Sequence, residues 1–128
     1  MTQQQEDAKK LAEFCAREAE EKKATDIVTL HVSELTTVAD YFVICTAQSE
    51  PQMKALAGWI QKQAWEQLKV KPLTVNGETA SKWILIDFGA VFVHIMTNEM
   101  RERYQLEDLW GDAPKVEAIE KLEKLSQS

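Results

Sequence analysis

The run Tyr41-Phe42-Val43-Ile44-Cys45-Thr46 constrains this chain more than any other stretch. Apolar residues fill successive positions here instead of alternating with polar ones, so a strand at this place is buried on both faces. Such a strand needs cover above and below, which calls for a sheet with helices packed on it. The cover is announced at once. Ser49-Glu50-Pro51-Gln52 reads as a capping box, in which the Ser hydroxyl accepts from the Gln52 backbone and the Gln side chain reaches back. Pro51 is tolerated in a first helical turn. Met53, Leu56, Ala57, Ile60, Ala64 and Leu68 then form one stripe to about residue 68, with Trp59 and Trp65 towards its edges.

The flanking sequence completes the sheet. Residues 5–23 read as a helix whose apolar face is Ala8, Leu11, Ala12, Cys15 and Ala19, with Phe14 beside it. Asp26 to Val32 is a short strand, and the apolar run above is taken to start at Asp40. Pro72 to Val75 is expected as a short edge strand, followed by a turn at Asn76-Gly77. Lys82 to Asp87 and Val91 to Met96 are two further strands, joined by a hairpin at Phe88-Gly89-Ala90 with Gly at the strained position. Asn98 is expected to cap a helix from Glu99 to about Tyr104, and Gln105 to Trp110 to continue as a turn or short helix. After Gly111 and Pro114, a charged helix over roughly 115–125 presents Val116, Ile119, Leu122 and Leu125. The order is α-β-β-α-β-β-β-α-α, an α/β fold with a mixed, mostly five-stranded sheet and helices packed on it. With 128 residues and no repeat or linker, the chain is one domain, residues 114–128 forming a helical tail.

Charge narrows the function. Fifteen basic and 21 acidic residues give a net charge of −6, which argues against a protein that gains its affinity by neutralising phosphates. Cys15 and Cys45 are too few for a disulfide framework or a zinc site and read as small buried hydrophobes. The first seven residues lack the apolar core of a signal peptide and the Arg-rich look of a transit peptide. The run from Trp83 to Met96 is interrupted by Asp87, Gly89 and His94 and does not span a bilayer. A soluble, cytoplasmic protein is expected.

Catalytic signals are thin. His31 and His94 are lone strand histidines with no nucleophile at matching spacing. There is no glycine-rich phosphate loop and no cluster with metal-ligand spacing, so no cofactor and no metal are expected. Thr46 to Ser49 joins a strand to a helix N-terminus, but Glu50 would repel an anion there. Asp40 and Asp87 are single strand-end carboxylates, whereas two-metal phosphoryl transfer needs several that converge.

Binding signals are stronger. Between Arg101 and Asp112 the chain gathers Tyr104, Leu106, Leu109 and Trp110, and from residue 105 its charges are all acidic: Glu107, Asp108 and Asp112. Aromatic anchors with a polar rim are what interfaces use, although the same residues could pin the C-terminal region onto the sheet. Trp83 poses the same question. If Ile84 and Ile86 face one side of the sheet, Trp83 and Leu85 face the other, which is then either helix-covered or a docking surface.

Several segments read in order carry a resemblance: Asp26-Ile27-Val28, Ala39 to Ile44, Ser49-x-x-Gln52, Trp83-x-Leu85-x-Asp87-x-Gly89, Val93-His94-Ile95, and Glu99-x-Arg101-x-x-Tyr104-x-Leu106-Glu107-x-Leu109-Trp110-x-Asp112-Ala113. From about residue 6 to Pro114 the chain resembles the ribosomal silencing factor (Iojap) family. Ala47 and Ala90 depart from the family's usual residues at two turns. The resemblance implies a compact fold with nucleotidyltransferase-like topology but no catalysis. It also implies a translation repressor that binds the large ribosomal subunit through ribosomal protein number fourteen and blocks joining of the small subunit. In organelles the implied role is large-subunit assembly. By this analogy the docking surface comprises Trp83, Tyr104, Leu106, Glu107, Leu109 and Trp110, with Asp108 and Asp112 as steering charges towards a basic partner. An exposed aromatic patch of this kind also favours a homodimer of the free chain. A nucleotidyltransferase-like enzyme and a direct RNA binder are the competing classes. The first lacks ligands for nucleotide and metal; the second is disfavoured by charge.

Overall fold

A computed structural model of the chain describes residues 2–77 and 79–105. Helix α1 spans Gln3–Glu21 and starts two residues earlier than its apolar stripe suggests. The reason is Thr2. Its hydroxyl accepts from the Gln5 N–H while the Gln5 side chain accepts from the Thr2 N–H, a complete capping box. Strand β1 (Thr25–His31) then runs antiparallel to β2 (Tyr41–Thr46), with a bulge between Thr25 and Val28 where Asp26 takes a φ of 48°.

Helix α2 covers Glu50–Gln63, capped by the Ser49 hydroxyl as the sequence indicates. The Gln52 side chain goes elsewhere than expected. It accepts from the Gln48 N–H and donates to the Lys23 carbonyl, tying α2 to the end of α1. The expected stripe to residue 68 is helical, but Ala64–Leu68 widen into a π turn that ends on Lys69 in the left-handed region. Strands β3 (Thr74–Asn76), β4 (Trp83–Asp87) and β5 (Val91–Met96) follow, with a short 3₁₀ turn at Thr79–Ser81. Helix α3 is Asn98–Tyr104. Its N-cap is Thr97, whose hydroxyl accepts from the Met100 N–H, in place of the expected Asn98. The expected turn from Leu106 to Trp110 and the helix over 115–125 lie outside the described residues.

The sheet order is β1-β2-β5-β4-β3, with β2 and β5 parallel and every other pair antiparallel. The parallel pair requires a long crossover, which α2, β3 and β4 supply. The β4–β5 hairpin turns at Gly89 (φ 93°), whose N–H donates to the Asp87 carboxylate at 2.7 Å. Asp87 therefore shapes this turn.

Two cores result, one on each face. Val43, Cys45, Ile84, Ile86, Val93 and Ile95 pack beneath α1 and α2. On the other face Phe42, Ile44, Trp83, Leu85, Phe92 and Met96 join Met100 and Tyr104 of α3 and Val32 and Ala39 from the β1–β2 connection. The three central strands are thus covered above and below, as the unbroken apolar run requires. Both thiols are buried, and burial pushes Cys15 and Cys45 up to about 12, which fits inert core residues.

Two glycines of opposite character test this arrangement. At Gly77 (φ 88°) an added Cβ would come within 2.2 Å of the Trp83 carbonyl oxygen, whereas at Gly58 in α2 nothing lies within 4 Å. Gly77→Ala is expected to lower stability by about 2 kcal/mol or more. Gly58→Ala is expected to raise it by about 0.5–1 kcal/mol. Urea denaturation of both variants reads the two signs side by side.

Candidate functional site

The acidic aromatic string begins where α3 ends, so the position of α3 decides where the string starts. Three contacts fix it. Thr97 caps its first turn. Buried Arg101 donates through Nη1 to the Asp26 carbonyl and, at 3.0 Å, to the Thr46 hydroxyl, clamping the helix to the ends of β1 and β2. Tyr104 packs on Trp83 with ring centroids 5.1 Å apart. Gln105 then adopts a left-handed conformation and its N–H donates to the Arg101 carbonyl, which closes the helix and redirects the chain. A hollow of about 550 Å³ lies beside this exit, bordered by Asp26, Ile27, Val28, Arg101, Glu102 and Gln105.

Beneath Tyr104 the second core holds an internal polar pair. The Trp83 indole N–H donates to His94 Nδ1 at 3.0 Å. An indole N–H can only donate, so Nδ1 carries the lone pair and the proton of the neutral ring sits on Nε2. That Nε2 is buried and meets no hydrogen-bond partner among the described residues. Burial of the ring, edge-on to Phe42 at 4.8 Å, lowers its pKa to about 3.

The structure separates the expected docking residues into two groups. Trp83 is fully buried and Tyr104 is 8% exposed, so both belong to the core and neither offers its ring as surface. Their place on the docking surface is corrected accordingly. Side chains of alternate β4 residues do face opposite sides, and the Trp83 side is the one covered by α3. Leu106, Glu107, Asp108, Leu109, Trp110 and Asp112 lie outside the described residues. Sequence reasoning gave Arg101 no structural role, although the family string names Arg101 and leaves position 103 open, which was the available signal.

The groups weighed for catalysis do not converge. His31 is exposed, stacks on Tyr41 at 4.6 Å and pairs with the Ser33 hydroxyl. His94 is enclosed in the core. Asp87 serves the hairpin, and the Thr46–Ser49 connection serves the α2 cap. Among the described residues no group of three or more His, Cys, Asp or Glu could hold a metal ion. None of the described helices is long and apolar enough to cross a membrane.

Comparison with known proteins decides the family. Residues 5–128 match the family model described as ribosomal silencing factor during starvation. The chain belongs to the ribosomal silencing factor family. A ribosomal silencing factor of Halalkalibacterium halodurans is 40% identical over 108 residues, covering 84% of this chain and 91% of that one. A solved structure from Chromobacterium violaceum superposes with a TM-score of 0.75 at 30% identity, covering 84% of this chain and 89% of the other. The family extends to organelles: the mouse protein named mitochondrial assembly of ribosomal large subunit protein 1 is 32% identical over 93 residues, which are 70% of this chain and 40% of that protein. In this silencing-factor chain, then, the Trp83 and Tyr104 of the family string are internal supports.

Two measurements test that placement. Trp83→Ala is expected to lower stability by about 3–5 kcal/mol, because it empties a core position and strands His94 Nδ1. The buried histidine also sets a pH dependence. A pKa near 3 in the folded chain, against 6.5 as the ordinary value, means the unfolded chain takes up the proton first. The contribution of neutral His94 is complete above pH 6.5 and is lost as pH falls towards 3. Between pH 7.5 and 5.5 stability is expected to fall by about 1.4 kcal/mol, read from urea midpoints.

Proposed function

We propose that this chain represses translation by binding the large ribosomal subunit and sterically blocking the small subunit from joining it. The observation that carries the reading is the family match over residues 5–128, with relatives that are named ribosomal silencing factors. The proposed contact is ribosomal protein number fourteen, engaged by the string that leaves α3. Leu106, Leu109 and Trp110 supply apolar anchors, while Glu107, Asp108 and Asp112 steer towards a basic surface. Tyr104 and Trp83 act from inside by holding the point where the string starts.

Such a role needs bulk and one adhesive face and makes no use of a reaction centre. We read the protein as non-enzymatic and active on ribosomes in the cytoplasm. The mouse relative, named for large-subunit assembly, favours a second reading in which the same contact serves assembly of that subunit. The two readings share a partner and differ in its maturity.

Co-sedimentation with purified large subunits separates these readings from no ribosomal role at all. The native chain is expected to pellet with isolated large subunits and to be largely absent from joined ribosomes. Unaltered subunit joining under a large excess of protein would sink the repressor reading. Trp110→Ala is expected to weaken binding by about 2 kcal/mol, roughly thirtyfold, with the melting temperature nearly kept. Glu107→Lys is expected to slow association without changing the fold, and an unchanged on-rate removes it from the site.

A further inference from the structure

The net charge of −6 conceals a basic segment. Residues 54–82 hold five lysines and two glutamates, whereas the other residues hold ten basic and nineteen acidic side chains. Four of those lysines, Lys54, Lys62, Lys69 and Lys71, lie on α2, at the end of the π turn and just after it. The proposed function uses none of them. Lys54, Gly58, Lys62 and Trp65 follow one another at helical spacings of four, four and three, and all are exposed. They form one outward face about 16 Å long.

That face is more than a solvated helix surface. The Trp65 ring is 45% exposed, and Lys69 and Lys71 hold their ammonium groups 5.3 and 4.6 Å from its centre. Lys69 does so from a left-handed backbone (φ 57°), uncommon for a residue with a Cβ, where the π turn ends. π turns within helices recur at functional sites, and this one brings a ring and two cations together. Between Lys54 and Lys62 the face is bare, because at Gly58 an added Cβ would meet nothing within 4 Å. Glycine weakens a helix interior, yet a position without a side chain lets a ligand approach the helix closely.

An exposed ring bracketed by cations, with further cations along a bare face, fits a strand of bases and phosphates. Every base has a flat π face that stacks on an aromatic ring, and the backbone that carries it is drawn along a line of positive charge. An acidic peptide would engage the lysines and leave the ring without a flat partner. Glu66, four residues after Lys62, is outnumbered by the four lysines. Net charge is no obstacle, since a phosphate senses charges within a screening length of about 10 Å and not the whole chain.

We propose that the outward face of α2 and the π turn binds single-stranded RNA, with a base stacked on Trp65 and the backbone tracked by Lys54, Lys62, Lys69 and Lys71. The site reads no sequence. The choice of RNA over DNA rests on the ribosomal reading above; the contact itself does not.

Fluorescence anisotropy with a labelled oligoadenylate RNA of about twelve nucleotides tests this on the full-length protein without ribosomes. At about 50 mM salt the native chain is expected to bind, with log K falling against log salt at a slope of about −3, as four lysine contacts to a single strand require. Trp65→Ala is expected to weaken binding about tenfold or more, and Trp65→Phe much less. Lys62→Gln with Lys69→Gln is expected to flatten the slope by about 1.4. The control pair is Lys9→Gln with Arg17→Gln, exposed on α1 beside Thr29 and Tyr41, and it is expected to leave affinity and slope nearly unchanged. Equal losses from the control pair overturn the proposal, because net charge alone then drives binding. Unchanged affinity in Trp65→Ala overturns it as well, and so does a lack of binding by the native chain. Polyglutamate that competes as well as RNA makes an acidic protein the occupant, and tighter binding to DNA of the same sequence overturns the choice of RNA. These outcomes leave co-sedimentation with large subunits untouched, so the two readings fail separately.

Discussion

The fold depends on one constraint: the central strands β2, β5 and β4 are apolar on both faces and therefore must be covered twice. Helices α1 and α2 cover one face as ordinary amphipathic helices, burying small residues such as Ala8, Ala12 and Ala57 that let them approach closely. The other face has large residues, Phe42, Phe92 and Trp83, and among the described residues its cover is the short α3 with the β1–β2 connection. Large side chains on the sheet compensate for a small cover. That is why Trp83 is drawn inside, and why its indole N–H must find an acceptor within the core. His94 provides it, at the expense of a buried Nε2–H that meets no partner among the described residues.

Much of this was legible in the sequence because the relevant signals are local. The double-sided apolar run, the Ser49 cap and the Asp87–Gly89 turn each act within a few residues, and each is found where the pattern places it. The features that read otherwise depend on contacts distant in sequence, the α3 cap excepted. Gln52 satisfies every local rule for reaching its own cap, yet the end of α1 presents carbonyls that compete for its amide. The cap of α3 moved to Thr97 because a hydroxyl one residue earlier already serves the Met100 N–H. Trp83 is placed on the docking surface by the family analogy, the residues themselves leaving its side of the sheet open. Alternation along β4 separates Trp83 from Ile84, but it does not reveal which side α3 will cover.

The same limit applies to the site. The aromatic and acidic string is conspicuous as composition. What composition could not divide was the part of the string that grips the domain from the part left to grip something else. For Tyr104 the structure answers: it grips the domain, packed on Trp83.

The brace behind this turn links the two ends of the argument. Arg101 sits 75 residues from Asp26 in sequence, yet its guanidinium holds the carbonyl of that residue at the β1 bulge. The bulge gives Asp26 its left-handed backbone, and the carbonyl it orients is one that a regular strand pair would have used in its ladder. A buried cation needs oxygen partners, and an irregular strand end has oxygens to offer. Neither irregularity is a defect on this reading. Together they hold α3 against the ends of β1 and β2 from inside the domain.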